Sequence, residues 1–267
     1  MKKMRGYKNV YCVGEEKAKQ NHKFYKYMNV ERAIQFLKTG EYYFVEPTAW
    51  QDPYEKRFYT ADYSYFDSFT PGVTYATCLT DKISNEAAWK MYRDEGGGLK
   101  NRSIRFDIRR SEMLRYMDKE IKDAKIVFGK ANYRYTTSKI NKIHKPDCPA
   151  QYKEYFSDFS EDSFLKLLLI KRKAFEYESE VRMFVVPHSH QSINIDRDFA
   201  KYIFKFSTEA MKSMIEQISI DPSCTELETE IIKVKIEQMG YTCSQNPLYK
   251  EKDRIIVGKI PKNQSSY

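Results

Sequence analysis

The sequence predicts an α+β fold, on three observations. Strand-like and helix-like segments follow one another without the strict βα alternation of a doubly wound sheet. The glycine spacings of nucleotide-binding sheets are missing: Gly96-Gly97-Gly98-Leu99-Lys100 lacks the P-loop interval, Gly129-Lys130 is followed by Ala131 rather than Ser or Thr, and no G-x-G-x-x-G occurs. At 267 residues the chain can bury a full core without disulfide or metal staples. It reads as one domain over 1–267, with the polar stretch 136–158 as a long loop or small insertion.

Phe24-Tyr25-Lys26-Tyr27 reads as a short strand, and Asn29 caps a helix whose apolar positions Val30, Ala33, Ile34 and Leu37 recur at helical spacing until Gly40 stops it. Glu41 to Val45 is a strand of residues that suit a pleated surface. The Asp-Pro of QDPYE (51–55) marks a turn, and Thr74 to Thr80 reads as strand. A helix starting at Ser84 or Asn85 runs through Arg93 and puts Trp89 and Tyr92, three apart, on one face. Ser103 to Ile108 is a strand, Met113, Leu114, Met117 and Ile121 mark a helix, and Lys125 to Tyr135 is extended. The spacing of Phe164, Leu165, Leu168 and Leu169 predicts a helix from Glu161 toward Lys173, and Phe175 to Val186 reads as a strand. A helix over Ser207 to Gln217, a strand ending at Asp221-Pro222, a helix opened by the capping-box spacing Thr225-x-x-Glu228 and closed by Gly240, and strands near Tyr241 and Ile255 complete the chain.

Lys plus Arg number 46 against 37 Asp plus Glu, a net charge of +9 that favours polyanions or an acidic partner. With 22 Tyr and 16 Phe the chain suits nucleic acid, since cations neutralise phosphates while aromatic faces stack on bases. The same composition also follows from codon usage in an AT-rich gene. Cys12, Cys78, Cys148, Cys224 and Cys243 are dispersed without a C-x-x-C pair, which reads as free thiols in a reducing cytosol. The basic N-terminus has no apolar stretch behind it, and the run Leu165 to Ile170 is interrupted by Lys166 and too short to span a bilayer. The expectation is a cytoplasmic protein with no membrane partner.

The segment Tyr177-Glu178-Ser179-Glu180-Val181-Arg182 is the most informative for chemistry. In a strand, Glu178, Glu180 and Arg182 project from one face. Two carboxylates that close repel and push their pKa values apart unless a cation such as Arg182 intervenes, a device for acid–base work or for stabilising an oxocarbenium ion. An edge strand with a solvated charged face fits the same spacing. Tyr25, Tyr27, Tyr42 and Tyr43 can stack on a planar ligand or pack across strands, and Trp89 with Tyr92 can wall a pocket. His188 and His190 offer two metal ligands without a third nearby, and Cys78 with His144 lacks any signature of a nucleophile and its base.

Several landmarks occur in order: FYKY (24–27) before a helix and a glycine, QDPYE (51–55), CLT (78–80), W-x-x-Y at Trp89 and Tyr92, IRFD (104–107), K-x-x-x-[WFY]-x-x-E-x-E-x-R ending at Arg182, and ISIDP (218–222). In this order the chain resembles a bacterial sequence family in which N-D-P-F-E and C-F-S are the commoner forms of the second and third motifs. That family is similar in layout to the ADP-ribosyltransferase superfamily.

The resemblance implies a mixed, mainly antiparallel split sheet flanked by helices, with NAD as substrate. It implies Glu180 as catalytic acid of an E-x-E pair with Glu178, Tyr43 as the ring that stacks on nicotinamide, and Lys26 and Tyr27 where a His or Arg usually reads NAD. Trp89, Tyr92 and Arg182 complete the expected NAD site, Arg182 by holding Glu178 or a pyrophosphate. The likeness extends to an mRNA-modifying ADP-ribosyltransferase toxin of a toxin–antitoxin–chaperone system in phage defence. It implies a nucleic-acid target, RNA ahead of DNA, and a protein antitoxin, with a chaperone as a further partner. Modification of protein side chains, a non-enzymatic nucleic-acid-binding module and a metal-dependent nuclease stay open as alternatives.

Overall fold

A computed structural model describes residues 1–14, 23–64, 71–83, 86–93, 98–141, 155, 159–188 and 201–249. Strands β1 (Lys2–Lys3) and β2 (Val10–Cys12) precede β3 (Lys23–Asn29), which runs into helix α1 (Val30–Thr39). The Asn29 side chain accepts the Arg32 N–H at 2.8 Å, and Gly40, at φ 73°, closes the helix with its N–H on the Phe36 carbonyl. A Cβ at Gly40 would lie 2.1 Å from the Phe206 carbonyl oxygen, so only glycine fits this close crossing. Strand β4 (Glu41–Val45) follows. QDPYE forms more than a turn: Asp52 accepts the Tyr54 N–H and caps α2 (Pro53–Tyr59), with Pro53 in the first turn, where no N–H is needed.

Strand β5 (Tyr75–Thr80), helix α3 (Glu86–Met91), strand β6 (Ser103–Arg109), helix α4 (Arg110–Glu120) and strand β7 (Ala124–Lys130) come next. They are followed by β8 (Asn132–Tyr135) and a short helix α5 (Thr137–Ile140) inside the stretch expected as a loop, of which 142–154 and 156–158 lie outside the described residues. Helix α6 (Glu161–Leu168) stops short of Lys173, because Ile170–Arg172 forms β9 alongside β8. The strand expected from Phe175 begins only at Glu180, as β10 (Glu180–Pro187), and Lys173–Glu178 is a 3₁₀ turn instead.

Strand β11 (Lys201–Lys205) pairs with β4. Helix α7 (Thr208–Met214) ends before Gln217, because Ile215–Ile220 is drawn into β12 beside β6. Helix α8 (Glu226–Glu237) opens with the reciprocal Thr225 and Glu228 capping box, and Gly240 follows it at φ 79°. The strand expected near Tyr241 is the short β13 (Ser244–Gln245), and Ile255 lies outside the described residues.

The main sheet has the order β1-β2-β7-β10-β5-β3-β6-β12-β13, with β4 joining β5 and β11 joining β4. Its pairs are antiparallel except β2 with β7 and β12 with β13. The fold is therefore mixed α+β with a mainly antiparallel sheet flanked by helices. One face packs Phe24, Ile104, Phe106, Val181 and Met183 against α1, α4, α7 and α8 in the principal core. The opposite face is covered in two pieces: α2 and α6 lie over Val127, Phe184 and Val186, while α3 lies over Tyr27. A cleft opens between those pieces.

Among the described residues no helix is long and apolar enough to cross a membrane. Cys12, Cys78, Cys224 and Cys243 are free thiols, and Cys148 lies outside the described residues.

Candidate active site

Strand alternation explains what lies under the cleft. On β10, Val181, Met183 and Val185 enter the principal core, so Glu180 and Arg182 emerge on the other face. On β6 the aliphatic and aromatic residues Ile104, Phe106 and Ile108 do the same and leave Arg105 and Asp107 opposite. A stripe of polar and aromatic side chains thus crosses the middle of the sheet, carried by β6, β3, β5 and β10.

The cleft, with about 290 Å³ of space when the part open to solvent is included, is lined by Tyr25 and Tyr27 of β3, Cys78, Leu79 and Thr80 of β5, Ala88, Met91 and Tyr92 of the α3 segment, and Glu178 and Glu180. It forms where β3 and β5 part, because the two strands pair only at Tyr25 and Thr80. Tyr27 stacks on Tyr92 with ring centroids 6.0 Å apart and meets Trp89 edge-on at 5.0 Å. The Arg105 guanidinium, held to Asp107 at 2.7 Å, sits over Tyr25 and Trp89 at 5.5 and 5.9 Å. Arg93 grips the buried Asp221 through two hydrogen bonds of 3.0 and 2.9 Å and ties the end of the α3 segment to β12.

Beneath Glu180 lies a buried ionic cluster. Arg182 donates to Glu180 at 2.8 Å, to Glu55 and to the Leu168 carbonyl, and its guanidinium stacks on Trp50 at 4.3 Å. Lys171 donates to both Glu178 and Glu180 and lies 3.7 Å from Glu55. Three carboxylates therefore share two cations in a site that water hardly reaches.

Burial alone would raise the pKa of Glu180, but Arg182 and Lys171 outweigh it and hold this carboxyl far below the usual range, hence ionised. For Glu178 and Glu55 burial prevails over the same cations and moves both pKa values up. The two pKa values part in opposite directions, but burial and the two cations set the split, ahead of the repulsion between adjacent carboxylates that the spacing suggested. Burial, with Glu180 next in effect, raises the Cys78 thiol, which leaves it un-ionised and a poor nucleophile.

Glu178 does not share a strand face with Glu180. The 3₁₀ turn ends in Ser179, which has the left-handed φ of 46°, uncommon for a residue with a side chain. Its hydroxyl donates to Asp81 at 2.6 Å, and Thr80 donates to the Glu178 carbonyl at 2.9 Å, so the conformation is held from β5. The turn, not strand alternation, brings both glutamates to one lysine. The Glu180 N–H is fixed separately by the Tyr133 hydroxyl at 2.7 Å.

Of the residues expected in the site, Glu178, Glu180, Tyr27 and Tyr92 line the cleft. Arg182 lies beneath it, and Trp89 is buried behind Tyr27. Lys26 points to the opposite sheet face, where it donates to Thr77 and Cys78 and lies 5.8 Å from the Tyr42 ring. The structure does not bring Tyr43 to the cleft: it is 37% exposed on β4 and donates to Glu41 at 2.9 Å. His144 and His190 lie outside the described residues, within which no group of three or more His, Cys, Asp or Glu side chains is arranged to hold a metal ion.

Sequence reasoning assigned no role to Lys171, Glu55, Tyr133 or Arg105. Lys171 heads the motif that ends at Arg182, Glu55 closes QDPYE and Arg105 is the second residue of IRFD, so three of these four were visible in the quoted landmarks. Compared with protein-family models, curated proteins and solved structures, the chain has no significant match.

Proposed function

We propose that this chain is an ADP-ribosyltransferase that cleaves NAD and transfers ADP-ribose to nucleic acid, with RNA as the favoured target. The observation that carries the reading is an ionised Glu180 beside a Glu178 of raised pKa, both in a tyrosine-lined cleft. Breaking the nicotinamide–ribose bond builds positive charge on the ribose carbon, and a fixed anion stabilises that charge more in the transition state than in the ground state. Glu180 supplies the anion and accepts a ribose hydroxyl. Glu178 takes the proton of the incoming nucleophile, as a carboxyl whose pKa is moved toward neutrality can. Tyr25, Tyr27 and Tyr92 offer ring faces and edges to the cationic nicotinamide.

The excess of 46 cations over 37 anions supports a polyanionic target and, for a toxin in a toxin–antitoxin or phage-defence system, an acidic antitoxin over the cleft. One observation favours a second reading, a non-enzymatic nucleic-acid-binding module: both Glu180 oxygens already accept from cations, as in a purely structural ion network.

Labelled NAD offered with RNA, single-stranded DNA or a protein lysate separates the two. The first reading expects label on RNA and nicotinamide release that falls about a hundredfold or more in Glu180→Gln, with the fold retained. Transfer to DNA or protein would correct the target. Folded protein that binds nucleic acid yet releases no nicotinamide would make the second reading the right one.

A further inference from the structure

Lys171 sits where three chain segments meet. It is on β9, it is 9% exposed, and its ammonium donates to Glu178 at the end of the 3₁₀ turn and to Glu180 at the start of β10. Its remaining face looks toward Glu55 of α2 at 3.7 Å, and the Phe175 ring lies 5.3 Å from the nitrogen. Arg182, the other cation of the cluster, hydrogen-bonds Glu180 and Glu55. Lys171 is thus the cation that spans the two glutamates of the cleft.

We propose that Lys171 is the positioning residue of the candidate reaction, holding the carboxylates of Glu178 and Glu180 toward the cleft together while leaving Glu178 the one that exchanges a proton. An ammonium suits this role because its hydrogens can be given to carboxylates arriving from different directions, whereas the planar guanidinium of Arg182 is committed to Glu55, Glu180 and a backbone carbonyl. With Lys171 removed, Glu55 and Glu180 keep Arg182, and Glu178 loses the ammonium that ties it to Glu180. Glu178 and Glu180 then face each other in the cleft lining without the ammonium that both accept from. The like charges are relieved by protonation of Glu178, the one without Arg182 as a hydrogen-bonded partner. Other titratable groups around the pair are Cys78 of β5, Tyr92 after α3 and Tyr133 of β8, which burial keeps neutral by raising the pKa of each, and Lys26 of β3, which burial shifts downward and which interacts with Glu180 from the other sheet face.

The role deepens the proposed transfer reaction and rests on it only for the rate measurement. The decisive experiment is a ¹³C-carboxyl titration of the glutamates by NMR in wild type, Lys171→Met and Lys171→Arg, with resonances assigned from Glu178→Gln and Glu180→Gln. Expected in Lys171→Met is a rise of the Glu178 midpoint by about one pH unit or more, largely reversed in Lys171→Arg. Nicotinamide release from NAD should lose about tenfold or more in kcat with little change in KM, and its acid limb should follow the Glu178 midpoint.

A folded Lys171→Met with an unmoved Glu178 titration overturns the proposal. Should Lys171→Met fail to fold, Glu178→Gln reads the same link from the other side. The ¹⁵Nζ resonance of Lys171 must then move, and an unmoved resonance overturns the proposal equally. A wild type that titrates as described but releases no nicotinamide removes the transferase reading and leaves the electrostatic link standing.

Discussion

Lys26 Nζ donates to the Cys78 carbonyl at 2.8 Å, in the gap where β3 and β5 part company. One edge of β5 is divided between two neighbours, with Ala76 opposite Val45 of β4 and Thr80 opposite Tyr25 of β3. The Cys78 carbonyl between them has a lysine in place of a third strand. A second bond, to Thr77 Oγ1 at 3.0 Å, fixes the ammonium on the face away from the cleft. The residue expected to read NAD is thus a brace that lets the sheet open behind the site.

Lys26→Met should cost about 1 kcal/mol or more, the penalty for leaving a half-buried carbonyl unsatisfied. Urea unfolding measures it, and a loss confined to a few tenths of a kcal/mol would show that water serves the gap as well as the lysine does.

Arg182 is 1% exposed and is shared by Glu55 and Glu180. Arg182→Met strands two buried carboxylates on Lys171 and should destabilise by about 3–5 kcal/mol, the scale of a broken buried pair. Glu55→Gln should cost less, because burial already raises the pKa of Glu55 and its neutral form is less foreign to the site. An inverted order in denaturant unfolding would contradict this division of charge.

Acid stability should show the two directions of shift. Glu180 and Asp221 have folded-state pKa values below the unfolded ones, so their stabilisation is complete above the ordinary carboxylate range and lost as pH falls through the folded values. Glu178 is shifted upward, so its ionisation costs stability as pH rises from its unfolded toward its folded value. Asp221→Asn should therefore flatten the acid limb of stability, whereas Glu178→Gln should enlarge the gain in stability between about pH 4 and pH 7. Urea midpoints across that range test both, and curves parallel to wild type refute them.

Trp89 and Tyr43 were expected to serve the same ligand, and the structure separates them. Trp89→Ala should cost about 3–5 kcal/mol, because the indole is 1% exposed under Tyr27 and Arg105. Tyr43→Ala should change stability by no more than about 0.5 kcal/mol and leave nicotinamide release unchanged. A Tyr43 variant that lost NAD turnover would place a ligand contact on β4.

Much of the local structure was legible. Asn29 and Gly40 bound α1 because a side-chain cap and a left-handed glycine act within one turn of chain. The Thr225 capping box and the pairing of Trp89 with Tyr92 on one face are equally local. Three elements misled for the opposite reason. Ile215–Gln217 continues a helical pattern but is claimed by β6, which lengthens the strand expected up to Asp221, Ile170–Arg172 is claimed by β8, and Ser179 breaks an apparent strand because Asp81 and Thr80 hold it in a turn. Each is settled by partners far away in sequence.

By itself the sequence determined which side chains were available to the chemistry: the glutamates of the E-x-E-x-R segment, the tyrosines of FYKY and W-x-x-Y, and a surplus of positive charge. Only the tertiary structure decided how they are used. Lys171 became the bridge between Glu178 and Glu180, Lys26 turned away from the cleft, and Glu55 met Arg182 across 127 residues of chain. Periodicity and capping are written into neighbouring residues and can be read there. The pairing of buried charges acquires its strength only once strands from distant parts of the chain have assembled a low-dielectric interior around them.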